Sequence, residues 1–418
     1  MIWRRRLELP WQLLLLTATL LATGILFVRS STLGTANEGL ERRQLVLSAA
    51  ALPALLLFAG LAPRRLARLA YPLYALGIGL LCLIPFLGID VGGARRWFRL
   101  PMNVLFQPSE VMKPFLVLAL ARWLEFRREP RHLSDWLGPL ALTALPFLLI
   151  KFEPDLGTAL LLVPIVVAML WCAGARKLHF LGGALLAVVL VPAIYFSPIL
   201  KPYQKERVQT FLESVPELAE KELLARRAGD DATAEKLGEK LRELKRGAGY
   251  QSHCAQTSIG SGGLFGKGLG QGPQNRLSYL PARHTDFIFA VVAEEWGFVG
   301  CCALLLLYLL LGLSCLSVAA GTRDRFSQLV ATGAAAALVM QAFANVAMTT
   351  GLMPVTGIPL PLVSQGGSSV LSAFLLVGMV LSAARSRRDA EPFLYRGAQP
   401  VDPFHARATA TPARDAAL

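Results

Sequence analysis

Apolar stretches of about 20 residues recur along this chain, and a helix of that length is what a hydrocarbon core of roughly 30 Å requires. A span of this kind must satisfy its backbone hydrogen bonds internally, so repeated apolar runs admit very few folds other than a helical bundle. The runs fall near residues 9–28, 44–62, 69–88, 107–126, 136–152, 157–173, 178–198, 287–317, 328–350 and 362–384, about ten in all. At 54% hydrophobic and 17% charged, the 418-residue chain is too apolar for a soluble protein of this size. The expected fold is therefore all-α, a polytopic membrane protein. MIWRRR precedes the first run, as in a signal peptide, but the run is long and lacks a small-residue cleavage site, so it reads as a retained helix.

Charge supplies the orientation. Lys and Arg outnumber Asp and Glu by 42 to 28, a net +14, and such an excess in a membrane protein gathers in cytoplasmic loops and against anionic membrane lipids. Nucleic acid is not an expected partner. Arg4, Arg5 and Arg6 precede the first run. Arg64, Arg65 and Arg68 follow the second, and Arg122, Arg127, Arg128 and Arg131 follow the fourth. Arg176 and Lys177, Arg323 and Arg325, and Arg385, Arg387 and Arg388 continue the alternation, placing both termini in the cytoplasm. Residues 199–286 then form a large external loop between helices 7 and 8. Its charged stretch 213–247 has Leu and Ala at helical spacing and reads as exposed amphipathic helices, a solvated surface or a docking face. A membrane domain over 1–388 is followed by a tail, 389–418, rich in Ala, Pro, Arg and Asp and expected to be disordered. Cys82, Cys172, Cys301, Cys302 and Cys315 lie in apolar runs and only Cys254 does not, so no disulfide framework is expected.

Several charged residues resist this scheme. Arg95, Arg96 and Arg99, with Arg42 and Arg43, fall on the external side, where they either bind an anion through guanidinium forks or snorkel beside Trp97. Glu110 and Lys113 share a helix face and can pair within the membrane. Glu153 and Asp155 sit at an external helix junction, where Asp155 can cap the next helix. Glu294 and Glu295 lie roughly 12–13 Å beyond Asp286 along a straight helix, which puts them deeper, in a packing role. By its position before an apolar run, Thr285 or Asp286 reads as a helix cap. The tract 258–272 lacks the Walker pattern and is expected to be a flexible external loop whose N–H groups can approach an anion. The tract 354–369, with three prolines and a Gly-Gly pair, reads as irregular backbone lining a cavity or buried in protein.

Taken together, "GARRWFRL", "FQPSEVMK", "EPDLGTA", "GYQSHCAQTSIGSGGLFGKGLG", "YLPARHTDFIFAVVAEEWGFVG" and "GLMPVTGIPLPLVSQGGSS", in order between about residues 92 and 370, resemble the SEDS family of cell-wall proteins, which includes RodA, FtsW and SpoVE. "PVTGIPLPLVS" is most similar to the RodA branch. Gln365, where the family commonly has Tyr, and the long insert at 213–247 depart from the pattern. The resemblance implies an inverting peptidoglycan glycosyltransferase of the bacterial inner membrane. It would polymerise lipid II into glycan strands at the outer face, for elongation, with a class B penicillin-binding protein. Asp286 then becomes the catalytic carboxylate. Arg95, Arg96, Glu110, Lys113, Gln256, Lys267, His284, Thr285, Ser364 and Ser368 lie in the matching segments as substrate-binding candidates. Charge for the leaving diphosphate would come from Arg95, Arg96, Lys113 or a divalent cation, magnesium or manganese. The competing readings are a division-type polymerase, a lipid II flippase and a noncatalytic scaffold; unusual charges clustering on the outer side favour the enzyme over the flippase.

Overall fold

The computed structural model describes residues 11–396 except 36–37, 92–93, 128–131, 133, 197–204, 206, 209–210, 212–214, 229, 245–247, 274–279 and 281. Arg4, Arg5, Arg6, Arg128 and Arg131 lie outside the described residues. The helices are α1 (Trp11–Thr32), α2 (Leu40–Gly60), α3 (Pro63–Leu87), α4 (Pro108–Glu125), α5 (Ser134–Phe152), α6 (Leu156–Cys172), α7 (Lys177–Phe196), α8 (Val215–Arg227), α9 (Asp231–Leu244), α10 (Ala248–Ser261), α11 (Ile288–Gly321), α12 (Arg325–Thr350) and α13 (Gly367–Arg396). Among the described residues, seven helices are long and apolar enough to cross a membrane: α1, α2, α3, α5, α11, α12 and the first part of α13. α4, α6 and α7 fill the other three expected places.

α4 shows why an apolarity criterion alone passes it over. Fifteen of its 18 residues are buried, and it packs against α3, α5, α6, α12 and α13. A helix enclosed by protein need not be greasy all round, so it can carry Glu110 and Lys113 as an interior pair. α7 is the opposite case, turning Leu181, Leu185, Val188 and Val189 outward to the lipid. Two boundaries differ from expectation. α3 begins at Pro63, a residue that suits the first helical position, so Arg64, Arg65 and Arg68 lie inside its first turns. α13 begins at Gly367 instead of 362, because Leu362 has φ 66, a left-handed backbone through which an α-helix does not run.

One end of the bundle collects the basic loops. Arg325 donates to the carbonyls of Leu124, Arg127 and Ala173, and Arg64, Arg68 and Arg122 line a cavity of about 210 Å³ with Glu125 and Asp324. This is the cytoplasmic end by the positive-inside rule. At the opposite, outer end, β1 (Ile89–Val91), β2 (Ala94–Leu100) and β3 (Val104–Phe106) form a small antiparallel sheet in that order. α8 and α9 pair over Leu218, Leu237 and Leu241, the exposed helices expected of the insert. α13 continues to Arg396, so the tail expected from residue 389 starts no earlier than 397, and residues 397–418 lie outside the described residues.

The longest helix is broken. Gly297 in α11 has φ 66 and ψ −164, a backbone that only glycine adopts without strain. The break leaves two carbonyls and two N–H groups without helical partners, and the glycine tract supplies them. Lys267 and Gly268 donate to the carbonyls of Glu294 and Glu295, while Phe298 and Val299 donate to those of Gly263 and Leu264. The expectation of an anion-binding loop is therefore revised: the N–H groups of Lys267 and Gly268 are spent on α11, and those of Gly262, Gly266 and Gln271 on carbonyls of the tract itself. Glu294 and Glu295, just before the kink, are buried in the packing role expected of them. Arg283 bonds the Ser31 carbonyl at 2.8 Å and Glu295 accepts from the Ser30 hydroxyl at 2.6 Å. Arg283 and Glu295, twelve residues apart, thus both attach to the outer end of α1.

Candidate functional site

The candidate site at the outer end is built around the turn that precedes α11. Ala282 accepts from the N–H groups of Thr285 and Asp286, closing the turn. Three successive carbonyls are then pinned from outside. His284 accepts from the backbone N–H of Gln365 at 2.9 Å, Thr285 from the Ser364 hydroxyl, and Asp286 from Asn345 Nδ2 at 2.7 Å. The contact at Gln365 uses only main chain, so this hydrogen bond does not depend on the departure from the family pattern there. The residue before α11 is Phe287, with no side-chain cap. The reading of Thr285 or Asp286 as a helix cap is thereby corrected, and the Asp286 carboxylate is left for other work.

The proline tract makes the opposite wall. Its carbonyls at Ile358 and Pro359 accept from Asn345 and Gln341, and those at Pro361 and Val355 from Tyr308 and Arg207. Irregular backbone at this depth is thus satisfied by side chains, as burial demands. Gly357, at φ 73, faces Asp286: a Cβ there would stand 3.4 Å from Oδ2. Gly157 at the start of α6 allows the same tract to pass, since a Cβ would meet the Thr356 carbonyl at 2.8 Å.

α6 brings the second carboxylate. Asp155 caps it, accepting from the Thr158 N–H at 3.3 Å, and also accepts from Gln107 Nε2 at 2.8 Å. Ser368 Oγ in turn accepts from the Gln107 N–H at 2.8 Å. Arg96 reaches over this turn, donating to the Pro154 carbonyl at 2.7 Å with Nη1 4.0 Å from Asp155. These charges act on Asp286. Burial is the main cause that pushes its carboxyl up to about 6; Arg207 opposes, Asp155 adds, and Arg96 opposes. Burial, and then Arg283, push the His284 imidazole down, so it is neutral at neutral pH.

The structure sorts the remaining candidates. Arg95 and Arg96 are neighbours on β2 and point to opposite faces, so Arg95 is exposed while Arg96 enters the site. Lys113 is fully buried, donating to Glu110 Oε2 at 2.8 Å and to Gln341. In this conformation the pair is enclosed beneath the pocket, not presented to a ligand. Lys267 bonds Ser261 at 2.8 Å and stands 3.5 Å from Glu294, in the tract that fills the kink. Gln256 lies against Gly351 at the end of α12. Arg207 and Asn345 were missed. Arg207 carries the same signal as Arg96, a basic residue on the external side, but sits in the long loop where charge counts mean little. Asn345 is one polar residue in an apolar helix, a signal open to any reader of α12.

Comparison with known proteins adds a family. The model FTSW_RODA_SPOVE, described as a cell cycle protein, matches residues 10–389. Peptidoglycan glycosyltransferase MrdB of Escherichia coli K12 is 34% identical over 379 residues, covering 91% of this chain and 94% of its own. Among solved structures, a chain of a peptidoglycan synthase complex, described for coordination of polymerization and crosslinking, superposes with a TM-score of 0.72 at 34% identity, over 91% of this chain and 99% of its own. The rod shape determining protein RodA of Thermus thermophilus does so at 0.62 and 31%, over 91% and 98%.

Proposed function

The chain belongs to the FtsW/RodA/SpoVE family and is a peptidoglycan glycosyltransferase, and we propose that Asp286 is its general base. The substrate is lipid II, an undecaprenyl-diphosphate-linked disaccharide-pentapeptide, polymerised at the outer face of the bacterial cytoplasmic membrane. The 4-hydroxyl of the acceptor sugar attacks the anomeric carbon of the donor, the bond from that carbon to the diphosphate breaks, and the configuration inverts in one displacement. Asp286 takes the hydroxyl proton. The diphosphate leaves as an anion without a protein acid, met by the fixed charges of Arg96 and Arg207. Among the described residues no three His, Cys, Asp or Glu side chains converge, so no step is assigned to a divalent cation.

The observation that carries this reading is a half-buried carboxyl at the outer end of a membrane bundle, its backbone pinned at three consecutive carbonyls and its pKa raised to about 6. Similarity to MrdB and to a rod shape determining protein supports a role in elongation, and similarity to a chain of a synthase complex supports a class B penicillin-binding protein as partner. The test is glycan-strand formation from purified lipid II by the full chain with its cognate partner, comparing wild type with Asp286→Asn. Polymer from wild type alone supports the assignment. Equal polymer from a folded Asn variant would remove Asp286 from the chemistry, and no polymer from either, beside an active control polymerase, would favour a flippase.

A further inference from the structure

Glu153 has no role in the mechanism above, and its surroundings are unusual. It follows α5 at the turn before Asp155, is 5% exposed, and among the described residues neither carboxyl oxygen has a hydrogen-bond partner. An ionised carboxylate so placed would forfeit its hydration with nothing in return, a cost of several kcal/mol that a buried acid avoids by keeping its proton. Arg96, which acts electrostatically on Glu153, likewise has a buried Nε with no partner among the described residues. An ion pair between the two would satisfy both, yet the guanidinium instead donates to the Pro154 carbonyl and leans towards Asp155. That arrangement is the one expected of an uncharged Glu153.

We propose that Glu153 is a positioning residue: as a neutral carboxylic acid beneath Arg96 it leaves the guanidinium aimed at Asp155 and the pocket, and its ionisation withdraws that guanidinium. The inference rests on the reading of Asp286 and Arg96 as parts of the catalytic pocket. Chemically the arrangement keeps a full positive charge where the anionic diphosphate departs, without diverting it to a neighbouring carboxylate. The charged groups acting on Glu153 are Asp155 and Arg96. Burial raises its carboxyl to about 9, with Asp155 adding to the rise and Arg96 opposing it.

The experiment is the pH profile of glycan polymerisation from lipid II by the full chain with its partner, for wild type, Glu153→Gln, Glu153→Ala and Asp286→Asn. Wild type is expected to lose activity as pH rises through about 9. Glu153→Gln, neutral at every pH, is expected to be active at pH 7 and to lack that alkaline fall, whereas Glu153→Ala, which leaves a void under Arg96, is not rescued. An unchanged alkaline fall in Glu153→Gln, or inactivity matching Asp286→Asn, would overturn the proposal. Infrared spectra of the purified chain read the proton directly. A protonated-carboxyl band at pH 7 that Glu153→Gln removes is expected, and its absence from wild type overturns the proposal whatever the activity. Asp286→Asn keeps the two readings separable, since its loss of polymer upholds the base however Glu153 behaves.

Discussion

At the scale of single residues, the raised carboxyl of Asp286 sets two opposite pH dependences. A general base must be ionised, so activity is expected above about pH 6 and lost as pH falls through it, about tenfold per unit, in a rate profile between pH 4 and 8. Stability goes the other way. The folded state holds the proton more tightly than the unfolded chain does, so the contribution is complete below the ordinary aspartate range and is lost as pH rises through about 6. Asp286→Asn should therefore melt at the wild-type temperature or higher at pH 7 in detergent, by on the order of 1 kcal/mol, while losing polymerisation, a trade of stability for function. The Glu110–Lys113 pair behaves differently because both partners are enclosed. Lys113→Met is expected to cost about 3–5 kcal/mol by leaving Glu110 unpaired, and adding Glu110→Gln should recover much of that loss in the same melting assay.

At the scale of elements, the kink in α11 and the glycine tract form one unit held by four backbone hydrogen bonds. Gly297→Ala puts a Cβ where the Leu264 carbonyl would stand 2.7 Å away and forces a backbone that alanine resists. A loss of at least about 2 kcal/mol is expected, with reduced activity, because the displaced first turns of α11 carry the Asp286 turn with them. Gly260→Ala in α10 meets open space and should instead gain a few tenths of a kcal/mol from helix propensity. Similar melting of the two variants would show that the kink has no structural weight. Local pattern shows that tract 258–272 is rich in glycine; that it fills the gap in a helix thirty residues later needs the helix to be seen broken.

At the scale of the whole molecule, α8 and α9 make a hairpin with its own small core, separate from the transmembrane core. Replacing residues 215–244 by a short Gly/Ser linker is expected to leave the bundle's melting temperature in place, and a large drop would show that the insert braces the membrane domain. The helical, polytopic membrane architecture was legible in the chain, because apolar length is a local property that a bilayer reads one segment at a time. The family was legible too, through the resemblance of segments that include the one around Asp286. What only the tertiary structure decided is which charges meet. Arg96 enters the pocket and Arg95 does not, Lys267 turns to Glu294, Lys113 stays sealed under the pocket, and Arg207 and Asn345 arrive from distant segments. Such meetings depend on strand face, helix kink and long-range packing, which no window of sequence contains, because burial of a charge is settled by its partners and not by its neighbours in the chain.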